Sequence, residues 1–183
     1  MEQLQLLMNH QPNLLVILAI DLTIAIILLS AMRFISGLWA GVNTTDELAS
    51  KDNFAFGISM AGSLLALAIV LTGAITGESA NSYVEEAIGM TIYGVVGFVL
   101  IKVGRIAHDK LALPALDKTH QIKEGNVSVA IIDAAALIAT ALIIRATLLW
   151  ASDLNINTLI AVITGFLISQ SFPIPPPHFS FVV

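Results

Sequence analysis

The sequence predicts an all-α protein whose helices cross a lipid bilayer. Of its 183 residues, 57% are hydrophobic and only 11% are charged, and the mean hydropathy is +0.89. A soluble domain is about a quarter charged, so this chain lacks the polar surface that covers a water-facing globule. The apolar residues form long runs without a period-two alternation. This pattern favours membrane-spanning helices over barrel strands.

Five apolar segments are the predicted helices. A helix needs about 20 apolar residues to cross the hydrocarbon core of a bilayer. Four segments approach or exceed that length, and a fifth has only about 14 residues. They cover residues 14–32, 54–75, 87–104, 127–150 and 156–169. The expected fold is therefore a helical bundle of a polytopic membrane protein.

Six regions make up the predicted chain organisation. They are an N-terminal segment (1–13), a first helix pair (14–76), an acidic loop (77–86), a second helix pair (87–150), a fifth helix (156–170) and a tail (171–183). We expect the tail to be disordered, because its prolines exclude helix and chain ends are seldom ordered. The change of character after about Gln170 suggests a truncated or frameshifted longer chain.

The loop charges predict the orientation. All loop Lys and Arg fall in the loops 33–53 and 105–125, whereas 77–86 has three Glu and no basic residue. Basic loops stay in the cytoplasm, so both should be cytoplasmic and the N-terminus outside a bacterial inner membrane. These loops suit anionic lipid head groups. The net charge of −5 and the absence of a clustered basic face argue against nucleic acid.

The first basic loop has two interpretations. Phe34, Leu38, Trp39 and Val42 are apolar at near-helical spacing. They form either a segment lying in the membrane interface or a continuation of the first helix.

Two asparagines mark an internal repeat. Aligning Asn53 with Asn126 also matches Ile58 with Ile131 and adds three Ala–Ala and one Leu–Leu match along the helices that follow. Each copy reads as helix, Arg, basic loop, Asn, helix. A pair of spans returns to its starting side, so the two copies have the same orientation. The fifth helix is then the first half of an incomplete third copy.

The motif residues carry a resemblance. Lys51-Asp52-Asn53-x-Ala55, then Ala61-Gly62, then Gly125-Asn126 resemble the YjfL-like bacterial inner-membrane family, which carries the domain of unknown function 350. The resemblance implies a multi-pass inner-membrane protein without an established activity, and hints at a membrane-stress protein as partner. Two features depart from the family: Ser128 stands where Ala55 stands in the first copy, and the tail is rich in proline.

Four ionisable residues fall inside the predicted spans: Asp21, Lys102, Asp133 and Arg145. Such residues are costly in lipid and are candidate functional residues. At ~1.5 Å per residue, their estimated depths predict two pairs, Asp21 with Arg145 and Lys102 with Asp133. In the alternative interpretation the basic side chains snorkel to the interface, and the carboxyl groups are protonated or face other helices.

Asp133, Thr140 and Thr147 recur every seven residues and share one face of their helix. This stripe either lines a polar path or makes hydrogen bonds to a neighbouring helix.

Asn53 and Asn126 each stand where a helix begins. Asn is a preferred N-cap, because its side-chain oxygen accepts from the free N–H groups of the first turn. The alternative is a functional pair placed symmetrically by the repeat.

Small residues at four-residue steps predict helix-packing faces. These are Ala55, Ser59 and Ser63 on the second helix, and Ala135 and Ala139 on the fourth.

Several kinds of chemistry lack a sequence signal. The chain has no cysteine, and its four histidines show no paired metal-ligand spacing. No phosphate-binding loop or nucleophile elbow is present, and we interpret His108-Asp109 as a solvated helix face. We therefore expect no catalytic residue, metal or cofactor.

These features predict a non-enzymatic component of the inner membrane. We expect it to form a homo-oligomer or to dock a membrane-stress partner in envelope homeostasis. The alternative is a small ion or solute transporter or channel with a polar path through Asp21 and Asp133.

Overall fold

The computed structural model describes residues 13–75, 82–111, 116–150 and 156–171. Within these ranges the chain is helical and contains no strand, which confirms the predicted all-α fold. The elements are α1 (Leu14–Ala40), a π-helical turn (Asp46–Ser50), α2 (Phe54–Ile75), α3 (Tyr83–Leu111), α4 (Lys118–Lys123), α5 (Val127–Trp150) and α6 (Ile156–Ser171). Almost all of the predicted N-terminal segment and of the tail lies outside the described residues.

In the described part of the chain, four helices are long and apolar enough to cross a membrane: α1, α2, α3 and α5. The apolar part of α6, Ile156–Ile168, is shorter than a full span. The chain is therefore a multi-pass membrane protein.

The first helix is longer than the predicted apolar segment 14–32. α1 continues through Phe34, Leu38 and Trp39 and ends at Ala40, so the long-helix interpretation is the one observed. Gly41 ends it with a φ of 63°, and its N–H bonds to the carbonyl groups of the last turn. Glycine adopts this left-handed conformation at little cost because it has no Cβ.

The third helix extends past both predicted ends. α3 begins at Tyr83, so Glu85 and Glu86 lie in its first turn and not in the acidic loop. It also passes Gly104 and runs on to Leu111. Arg105, predicted to begin a loop, is therefore a helical residue.

The α2 and α5 helices lie side by side and run parallel. Ser59 contacts Asp133 near one end of the pair, and Thr72 contacts Arg145 near the other. The sequence separations are 74 and 73 residues, and such a constant separation requires parallel helices. Between these contacts the helices nearly touch, because a Cβ on Gly62 would lie 2.4 Å from that of Ala134.

The α1 and α3 helices also run parallel. Ser36 on α1 hydrogen-bonds to Lys102 on α3, and the side chain of Leu28 on α1 packs directly against Gly94 on α3. Within each parallel pair, α1–α3 and α2–α5, the contacts bring the two C-terminal parts together and the two N-terminal parts together. The end at which α1 and α3 finish and α2 and α5 begin carries both basic loops, and we call it the basic end.

The two copies of the asparagine motif fold alike. Asp52 (φ 47°) and Gly125 (φ 84°) have left-handed backbone directly before Asn53 and Asn126. Asp and Gly are among the residues that tolerate this conformation best. The likeness agrees with a duplication, and the duplication itself stays a prediction.

Candidate functional site: an ion cluster at the basic end

Asp133 is the centre of a buried ion cluster. It is fully buried, about 9 Å along α5 from its first residue. Its Oδ2 accepts from Ser59 Oγ (2.6 Å) and Arg105 Nη2 (2.8 Å). Its Oδ1 lies 3.5 Å from Lys118 Nζ. One carboxylate thus joins α2, α3 and α4 to α5.

Lys118 extends the ion cluster toward the end of α3. The side chain is buried, and its ammonium group forms an ion pair with Asp109 and lies 3.2 Å from His108 Nδ1. The interpretation of His108-Asp109 as a solvated face is wrong, because both side chains contact this buried lysine. We define the ion cluster as Asp133, Arg105, Lys118, Asp109 and Ser59.

Lys102 has a different partner from the predicted one. Its ammonium group donates to Ser36 Oγ at 3.1 Å, and the residue is only 9% exposed. Asp133 lies within electrostatic reach but already pairs with Arg105 and Lys118. The lysine therefore stays inside the bundle and does not snorkel.

Asp21 and Arg145 also have other partners. Arg145 Nε donates to Thr72 Oγ1 on α2 at 3.1 Å. Asp21 is buried and makes side-chain contact with Glu86, which is buried on α3. Among the described residues no ion pair joins Asp21 to Arg145. Two carboxyl groups in contact are stable only with a proton or cation between them.

The two threonines of α5 bond within their own helix. Thr140 donates to the carbonyl oxygen of Ala136 at 2.9 Å, and Thr147 to that of Ile144 at 2.7 Å. Their methyl groups face glycines of α3 and α6. Within the stripe, Asp133 alone makes hydrogen bonds to neighbouring helices, as one of the two interpretations expects, and the two threonines do not extend it into a continuous polar path.

Both motif asparagines cap a helix. Asn53 Oδ1 accepts from the N–H of Phe56 at 3.0 Å, and Asn126 Oδ1 from that of Val129 at 3.3 Å. The side-chain NH2 group of Asn126 donates a separate hydrogen bond, to Gln121 Oε1 at 2.9 Å.

The amide of Asn53 makes further contacts. Its Nδ2 lies 3.1 Å from Glu47 Oε2 and 3.2 and 3.1 Å from the carbonyl oxygens of Ile122 and Lys123. These carbonyl groups belong to the last turn of α4, where helix carbonyls lack intrahelical partners. Asn53 therefore ties α4 to the start of α2.

Glu47 accepts from Asn53 as a carboxylate. Lys51 Nζ donates to Glu47 Oε1 at 2.7 Å. This hydrogen bond lowers the pKa of Glu47 below its ordinary value, and it raises the pKa of Lys51. Both groups are therefore charged at neutral pH, and the link between the π-helical turn and Asn53 is charge-assisted.

The comparisons with known proteins settle the family. The model of the family described as Domain of Unknown Function (DUF350) matches residues 7–148. The chain belongs to the DUF350 family. The match includes α1 to α3 and nearly all of α5, so it contains every residue of the ion cluster.

A relative of this DUF350 protein is a UPF0719 transmembrane protein of Aquifex aeolicus (strain VF5). The two are 28% identical over 103 residues, which are 56% of this chain and 38% of the relative. The aligned region is thus well under half the length of that relative. No solved structure matches the chain.

The chemistry that the geometry supports is ion pairing between helices. Nowhere in the described part of the DUF350 chain do three His, Asp or Glu side chains gather closely enough to hold a metal ion. The ion cluster instead neutralises its own charges, since two basic side chains face two acidic ones, while Lys102 at Ser36 lies outside it. Its direct structural effect is to fix α2, α3, α4 and α5 against one another.

Proposed function

We propose that this DUF350 protein is a non-enzymatic membrane component that works by association, first with further copies of itself. One observation on α5 carries the proposal. Ala135 and Ala139, which predict a packing face, are exposed on the outside of the bundle. Ile131 (54% exposed) and Leu142 (51% exposed) extend the same stripe. In lipid, small residues at this spacing let a second helix approach closely.

The ion cluster supports this proposal by making the basic end rigid. A surface whose helices are fixed loses little conformational entropy when a partner binds. The exposed basic residues of that end are Arg33, Lys51, Lys110 and Lys123. Each contributes about 1 kcal/mol of attraction when it lies near an anionic bilayer surface. We therefore place this end in the cytoplasm of a bacterial cell, with the protein in the inner membrane and its N-terminus outside.

A membrane-stress protein is the second kind of partner that we propose, with a role in envelope homeostasis. The support for it is the resemblance of the asparagine motif, together with the basic surface on which such a partner would dock.

The oligomer is tested by measuring the mass of the protein–lipid complex in nanodiscs. We expect more than one copy per complex for the parent, and a shift toward one copy for Ala139→Leu, because the added side chain holds the helices apart. Ala61→Leu is the matched control, since Ala61 is an exposed alanine on α2 and not part of the stripe. A parent with a single copy, or equal masses for all three proteins, would refute association through α5.

A transporter or channel is the second candidate function. The observation that favours it is the pair of buried carboxyl groups, Asp21 and Glu86, far from Asp133 along the bundle. Buried ionisable residues at two depths are typical of ion and proton paths.

Flux measurements in proteoliposomes decide between the two candidates. A transport role predicts ion or proton flux that is lost in Asp21→Asn and kept in Asp52→Asn, an exposed carboxylate outside the spans. Absence of flux in a folded parent would leave association as the function. Asp21 is preferred to Asp133 for this test, because we expect loss of Asp133, with its ion pairs to Arg105 and Lys118, to destabilise the fold as well.

A further inference from the structure

A small cleft opens beside the ion cluster. It lies between α1, α2, α3 and α4 and has about 20 Å³ of free space, enough for about one water molecule or one monatomic ion. The polar residues that line it are Ser36, Ser59, Thr119, Arg105 and Lys123. The described residues that line it include no carboxylate.

The walls of the cleft offer more donors than acceptors. Arg105 uses Nη2 for Asp133 and Ser59, and its remaining N–H groups have no partner among the described residues. Ser36 accepts from Lys102, which leaves its own proton free to donate. Lys123 has no hydrogen-bond partner for its ammonium group in the described part of the chain. Glu47, whose carboxylate feels the charge of Lys123, already bonds to Lys51 and Asn53.

The charges around the cleft do not balance. Next to the cleft, three buried or half-buried basic side chains (Lys102, Arg105 and Lys118) face two acidic ones (Asp133 and the partly exposed Asp109), and Lys123 adds a further positive charge at the wall. Lys102 is the buried cation without an ion-pair partner, because among the described residues its hydrogen bond goes to the neutral Ser36 at the cleft wall. A buried cation without a counter-charge is unfavourable in a low-dielectric interior.

We propose that this cleft binds one small inorganic anion of the size of chloride. Arg105, Ser36 and Lys123 donate hydrogen bonds to the anion. Ser36 also accepts from Lys102, so the bound negative charge lies one hydroxyl group away from the Lys102 ammonium and offsets its charge. The site is independent of the proposed association, since none of these residues belongs to the exposed stripe of α5.

Trp39 provides a direct reporter of binding. It lines the cleft, whereas Trp150, the other tryptophan, is 93% exposed at the opposite end of the bundle. In a Trp150→Phe background, the full-length protein in nanodiscs of neutral lipid is titrated with chloride and then with gluconate, which is too large to enter, at constant ionic strength. We expect a saturable rise in Tm and a saturable change in Trp39 fluorescence with chloride only.

The matched variants are Lys123→Gln and Lys110→Gln. Both remove one exposed lysine near the basic end, but only Lys123 lines the cleft. We expect Lys123→Gln to weaken the apparent affinity about tenfold, as loss of a charge-assisted contact does, and Lys110→Gln to titrate like its parent.

Three outcomes would overturn the proposal. The first is an equal response to chloride and gluconate, and the second is equal affinity in the two lysine variants. The third is stabilisation seen only in nanodiscs that contain an anionic phospholipid, which would make the ligand a lipid head group and not a free ion.

Discussion

Asp133→Asn is expected to lower the free energy of unfolding by about 3–5 kcal/mol. The substitution keeps the shape of the side chain but removes the charge that Arg105 and Lys118 share. Two basic groups are then left inside the bundle with only the partly exposed Asp109 as counter-charge. The measurement is denaturant or thermal unfolding of the purified protein in mild detergent.

Two further variants control this prediction. Asp52→Asn makes the same change of charge at an exposed position, with a φ of 47° that asparagine accepts, and should change stability by less than about 0.5 kcal/mol. Arg105→Gln combined with Asp133→Asn should cost less than the two single losses added together, because the residues interact directly. Equal stability of Asp133→Asn and Asp52→Asn would show that the ion cluster contributes nothing to folding.

The second large effect is expected at Asn53. Serine caps a helix as well as asparagine does, so Asn53→Ser keeps the bond to the first turn of α2. It loses the bonds from the side-chain amide to Glu47 and to the last carbonyl groups of α4. We expect a loss of about 2 kcal/mol, with increased proteolysis of the α4 region.

Asn126→Ser is the matched comparison. It loses only the bond to Gln121, so the expected cost is about 1 kcal/mol or less. Equal losses for the two variants would mean that the link between Asn53 and α4 contributes nothing. Intact folding with lost association or flux in the double variant would instead favour a functional asparagine pair.

The sequence predicted what depends on local chemistry and on length. Apolar runs define the spans, because backbone groups in lipid must bond within their own helix. The caps at Asn53 and Asn126 follow from side-chain chemistry that acts over a single turn. The left-handed residues before them are Asp and Gly for the same local reason.

The partners across helices could not be predicted, because depth along a helix does not give its rotation about its axis. Lys102 and Asp133 lie close in depth, but Lys102 bonds to Ser36. Arg105 is the residue that pairs with Asp133, where Lys102 was predicted. One available signal was missed: Lys102, Arg105 and Asp109 follow at three- and four-residue steps and share one face of a helix. Ending that helix at Gly104 concealed it. Similarly, the spacing of Ala135 and Ala139 indicates a packing face but not which helix covers it.

The membrane-spanning bundle with one basic end is tested most directly by labelling single cysteines. The chain has no native cysteine, so each introduced thiol is the only one. The variants are Ser50→Cys, Glu124→Cys and Ser82→Cys. Ser50 and Glu124 lie in the two basic loops, Ser82 precedes α3 at the opposite end, and all three positions are exposed. With a membrane-impermeant maleimide, the first two should label from one side of sealed vesicles and the third from the other. Labelling of all three from the same side would contradict the bundle.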